Sequence, residues 1–163
     1  MDFFEVIKER LSVRTYSNKA VTKEDLIKII DAGHLAATAR NEQPWRFIAT
    51  TDKKKIQKLG QMVSPNGAFL TGATAAIVVL SKETKYYLED CSAATQNMLL
   101  AATALGIGSC WIAGDKKDYA GLVTAFVNAQ VPERLVSVIA LGYPETKGTP
   151  KPKKSVDELV CWM

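Results

Sequence analysis

The chain has a single histidine, His34, and three cysteines, Cys91, Cys110 and Cys161, in 163 residues. A Ser-His-Asp or Cys-His centre would have to recruit His34, which sits inside a helical pattern, and paired histidine metal ligands are excluded. The cysteines are odd in number, far apart and without a Cys-x-x-Cys pair. That argues against a disulfide framework and against a zinc site, and it fits a reducing cytoplasm. Cys91 and Cys110 are expected to be small core fillers. No Gly-rich P-loop and no Gly-x-Ser-x-Gly elbow occurs. Gly106-Ile107-Gly108 has a helix before it and a strand after it, the reverse of a dinucleotide fingerprint, and reads as a helix C-cap and tight turn. Glu89 and Asp90 are adjacent and so diverge on a helix, leaving no paired-acid centre with positive support.

Strong charge is also missing. The net charge is +4, whereas nucleic-acid binders usually carry a denser basic stripe, so no nucleic-acid partner is expected. Met1-Asp2-Phe3-Phe4-Glu5 places acids where a signal peptide would carry Lys or Arg. The uncharged stretch from Cys91 to Gly114 contains Gln96, Asn97 and several Ser, Thr and Gly residues. It makes a poor membrane span and reads as a close-packed helix followed by a strand. With 47% apolar and 23% charged residues, one soluble cytoplasmic domain over residues 1–163 is expected.

What is present is a mixed pattern of helices and strands. Asp2 caps a helix whose apolar face is Phe4, Ile7 and Leu11. A second helix starts near Thr22 and keeps Leu26, Ile29, Ile30 and Gly33 on one side. A loop from Thr38 to Pro44 leads into a strand from Trp45 to Thr51. Asp52 caps a helix with Ile56, Leu59 and Val63 inward, and Pro65-Asn66-Gly67 signals a turn. Ala75 to Leu80 reads as a buried strand. A long helix runs from about Tyr86 to Leu105, then a strand from Ser109 to Ala113, a helix around Tyr119 to Val127 and a strand from Leu135 to Leu141. Without regular β-α-β alternation the fold class is α+β. The tail, 145–163, is polar at first and ends with Val156, Leu159, Val160 and Trp162, so it is expected to dock on another surface, such as a partner subunit's.

The chemistry-bearing feature is Arg10-Leu11-Ser12-Val13-Arg14. Residues two apart in an extended segment point the same way, so two guanidinium groups and a hydroxyl can converge on an anion such as a phosphate.

Three further segments accompany it: Asn41-Glu42-Gln43-Pro44-Trp45, Trp111-Ile112-Ala113-Gly114, and Gly142-Tyr143-Pro144 followed by Lys151-Pro152-Lys153-Lys154. In this order, with Asp90, Ala94, Gln96 and Asn97 on the long helix, the chain resembles the nitroreductase family of flavoenzymes over nearly its whole length. The resemblance implies a central, mainly antiparallel sheet flanked by helices, in an intertwined homodimer with FMN shared between subunits. It implies that Arg10, Lys151 and Lys153 hold the FMN phosphate, and that Ser12 and Arg14 reach the ribityl chain and pyrimidine edge. Thr38 and Asn41 would come from the other subunit, Asn66 would meet the pyrimidine edge, and the backbone at Ala113 and Gly114 would lie over the reactive nitrogen. Gly114 would allow that close approach because it has no Cβ.

No catalytic side chain and no metal are then expected, because FMN carries the chemistry between NADH or NADPH and a small-molecule electron acceptor, nitroaromatic- or quinone-like. Where family members often carry Pro-Ser-Ser, this chain reads Ala37-Thr38-Ala39-Arg40, which reduces hydroxyl contacts there to Thr38. The helical insertion of larger relatives is missing after Leu80, leaving Tyr86 or Tyr87 as possible lids. The rival readings are a flavin store or sensor without turnover and a small basic nucleic-acid-binding domain.

Overall fold

The computed structural model describes residues 2–163. Among these residues five α-helices surround a four-stranded antiparallel sheet, the α+β arrangement expected. In chain order these are α1 (Phe3–Glu9), α2 (Lys23–His34), β1 (Trp45–Thr50), α3 (Lys53–Met62), β2 (Ala75–Ser81), α4 (Tyr87–Ala104), β3 (Gly108–Ala113), α5 (Ala120–Phe126) and β4 (Arg134–Gly142). The sheet order β1-β2-β4-β3 puts the most apolar strands, β2 and β4, in the middle and leaves β3 at an edge.

Alternation along β2 divides the core. Ile77 and Val79 face one side, where Ile29 of α2 and Met98 of α4 pack with them. Ala76, Val78 and Leu80 face the other, against Ile56, Leu59 and Val63 of the α3 region and Val123 of α5. Every residue of β2 is buried, so the strand reads as an unbroken apolar run with a terminal serine.

Local signals end the helices where expected. Asp2 and Glu5 form a reciprocal capping box on α1, Thr22 caps α2, and Asp52 accepts from the amides of Lys54 and Lys55 at the start of α3. Gly106 adopts φ +71° just after α4, the left-handed stop a glycine provides.

The apolar face expected on α1 is not buried. Phe4 is 71% and Ile7 45% exposed, Leu11 is half-buried, and Val6 is the residue of α1 that enters the core. Among the described residues, Val6 is the one member of this seven-residue helix that is buried. Leu122 of α5 is likewise 61% exposed.

Candidate functional site

Arg10 ends α1 with an extended backbone (φ −60°, ψ 122°), so the chain leaves the helix as a strand. Ser12 then pairs in parallel with Ser109 at the start of β3, and the Val13 amide donates to the Ser109 carbonyl at 2.9 Å. The triplet is thereby stitched to the open edge of the sheet in the extended form that its spacing implies. Its side chains line a cleft of about 610 Å³, and the far wall is the tail segment 149–153. Arg10, Ser12, Arg14, Lys151 and Lys153 are all brought together there, although the two groups lie some 140 positions apart.

Two contributors were not legible in the sequence. Lys8, in the last turn of α1, adds a fifth cation, and Thr149 adds a second hydroxyl. Among the described residues, no carboxylate lines the cleft. Among the described residues, none of the five cations is held in an ion pair. An acid-free wall of two guanidiniums, three ammoniums and two hydroxyls suits a phosphate monoester, which carries nearly two negative charges.

Arg14 is oriented as well as present. Its guanidinium lies 5.5 Å from the centre of the Phe69 ring and donates to the Ser12 carbonyl at 3.3 Å. Cys110 lies buried behind this wall. Burial pushes its thiol pKa up, opposed by Arg14, the Ser12 hydroxyl and Arg10. It is a core filler, as expected, and so is buried Cys91.

The other end of β3 is built differently. Antiparallel pairing turns successive residues alternately toward and away from the neighbouring strand. The Gly114 amide donates inward, to the Val136 carbonyl at 3.0 Å, while Ser109 bonds outward to Val13. Ala113, in step with Ser109 and opposite Ser137, therefore directs its N–H and C=O off the open edge. From Ser109 to Ala113 that edge runs about 13 Å. Beyond it, Asn66 in the Pro65–Gly67 turn lines a separate cleft of about 430 Å³ with Lys117, Asp118 and Tyr119.

A Cβ at Gly114 would lie 2.5 Å from Cγ of Leu135, so close packing on β4 by itself calls for a glycine there. Its amide is also already committed to Val136. Of the expected backbone pair, only Ala113 offers an outward N–H.

Thr38 is engaged too. Its hydroxyl donates to Oδ2 of Asp90 at 2.8 Å and accepts from the Gln43 amide at 3.1 Å. Asp90 is buried and also accepts from the Ala39 amide, so it anchors the whole 38–43 loop. Thr38 therefore braces the loop, with its hydroxyl proton committed to Asp90. Asn41 stands exposed in a left-handed conformation (φ 57°) and accepts from Nε2 of Gln43 at 3.1 Å. Thr38 and Asn41 lie outside the cation cleft of their own chain. Tyr87, considered as a lid, has its hydroxyl fixed on Asp115 at 2.9 Å. Among the described residues no cluster of His, Cys, Asp and Glu is arranged to hold a metal. No helix of the described residues is long and apolar enough to cross a membrane.

Residues 7–68 match the model of the "Nitroreductase family", and residues 55–162 match the model described as "Putative TM nitroreductase". The chain belongs to the nitroreductase family. A family relative from Archaeoglobus fulgidus, named "Putative NADH dehydrogenase/NAD(P)H nitroreductase", is 40% identical over 86% of this chain and 84% of its own length. An FMN-dependent nitroreductase from Clostridium difficile R20291 has 28% identity and a TM-score of 0.90, covering 98% of both chains. A nitroreductase crystallised with bound FMN, from Bacteroides fragilis, has 27% identity and a TM-score of 0.81, covering 100% of this chain and 99% of its own. The nitroreductase fold is thus present over the full length described.

Proposed function

We propose that this nitroreductase-family oxidoreductase binds FMN and passes electrons from NADH or NADPH to an electrophilic small molecule, nitroaromatic- or quinone-like. The observation that carries the reading is the acid-free, five-cation cleft joined to Ala113 by one sheet edge. In this reading Arg10, Lys151 and Lys153, with Lys8, hold the phosphate, and Ser12 donates a hydrogen bond beside them. Arg14, fixed on Phe69, puts a cation near the pyrimidine edge and favours negative charge there. Asn66 contributes from the neighbouring turn, and the Ala113 N–H faces the ring. Bound FMN supplies the two-electron chemistry itself, so no side chain has to act as nucleophile or metal ligand.

The 1–163 domain works as a homodimer in the cytoplasm, with Thr38 and Asn41 supplied by the second copy. The support is physical: Phe3, Phe4 and Leu35 are mostly exposed, as are Val156, Leu159 and Trp162 of the tail, more apolar surface than a lone small domain usually leaves open. The test is an absorption spectrum of the purified protein before and after adding NADH or NADPH. A flavin spectrum that bleaches within seconds and returns on adding a quinone is expected. A protein that stays colourless with added FMN overturns the reading, and a flavin that resists bleaching makes it a flavin store instead.

A further inference from the structure

The turn after β3 is pinned by two phenols from two different helical regions. Tyr119, just before α5, donates its hydroxyl to the Ala113 carbonyl. Tyr87, in the first turn of α4, donates to Asp115 at 2.9 Å, and the Arg134 guanidinium, paired with Glu83, packs 5.4 Å over the Tyr87 ring. Leu135 fills the space beside Gly114, between these two anchors.

The consequence lies in the direction of the Ala113 peptide groups. In a strand the N–H and C=O of one residue point the same way, and at Ala113 both point off the open edge of the sheet. An unpaired carbonyl there would place a negative dipole end beside the donor and repel an electron-rich ring. A further strand would normally take it. Here the Tyr119 hydroxyl takes it, and the Ala113 N–H is left as a bare donor.

We propose that Tyr119 is a positioning residue for electron transfer, masking the Ala113 carbonyl so that the edge of β3 presents a donor alone, with Tyr87 holding the same turn through Asp115. The inference rests on the FMN reading above. It concerns a residue whose hydroxyl is bonded to the protein backbone.

The experiment compares the wild type with Tyr119→Phe, which keeps the ring and removes only the hydroxyl, and with Tyr87→Phe. In flavin-free Tyr119→Phe, amide exchange in the peptide spanning 110–118 is expected to quicken by about 3- to 10-fold, the loss of one hydrogen bond. FMN affinity, set mainly at the cation cleft, stays within about 3-fold of wild type. The visible flavin bands shift and the rate of bleaching by saturating NADH falls by about 3- to 10-fold. Tyr87→Phe shows the same pattern more weakly. Wild-type flavin bands and bleaching rate in Tyr119→Phe, with FMN bound, overturn the proposal and leave the FMN reading standing. A wild-type protein that takes up no FMN overturns both.

Discussion

The β2–β4 pair and the C-terminal tail are opposite solutions to placing apolar side chains. Between β2 and β4 every apolar side chain is buried by this chain's own helices, on both faces of the sheet. In the tail from Lys151 onward no residue is buried, and Trp162 is 89% exposed. The tail nevertheless carries Lys151 and Lys153 to the cleft. The sheet makes the scaffold complete in one chain, whereas the proposed site takes one wall from a segment with almost no intrachain packing. Stability and binding should therefore be separable by mutation.

Ile139→Ala sharpens that separation most. Ile139 is fully buried against Ile77, and its truncation should cost about 2–5 kcal/mol in denaturant unfolding. A loss under about 1 kcal/mol would mean that the sheet centre is not the stabilising core. Arg10→Ala should do the reverse. It should weaken FMN binding by about 1.5–3 kcal/mol, measured by fluorescence titration, and change unfolding stability by less than about 0.5 kcal/mol. Unchanged FMN retention would remove Arg10 from the phosphate site. The smallest effect is expected from Trp162→Ser, which should weaken the homodimer by about 1 kcal/mol or more in sedimentation equilibrium. The unfolding midpoint at high protein concentration should move only slightly. A dimer of unaltered affinity would show that the tail end docks elsewhere.

Legibility followed the range of the interactions. Asp2, Thr22 and Asp52 cap helices through contacts within three residues, and these were readable directly. The apolar run of β2 announced a buried strand because both its faces are covered. The apolar spacing of α1 misled, since periodicity shows that a face exists but not what covers it. Asp90 looked like one of two diverging acids; its bond to Thr38 spans 52 positions and depends on where α4 passes the loop.

By itself the sequence determined the order of elements, the alternation that aligns Arg10, Ser12 and Arg14, and the family to which the chain belongs. These depend on local propensity and on side-chain spacing along the backbone. Only the tertiary structure decided that Lys8 and Thr149 join the cleft and that Gly114 is a packing glycine. It alone selected the Ala113 N–H as the donor left facing outward. Each of those outcomes depends on which strand lies at the edge and which distant residues meet across it, a matter of sheet order and packing that no local pattern encodes.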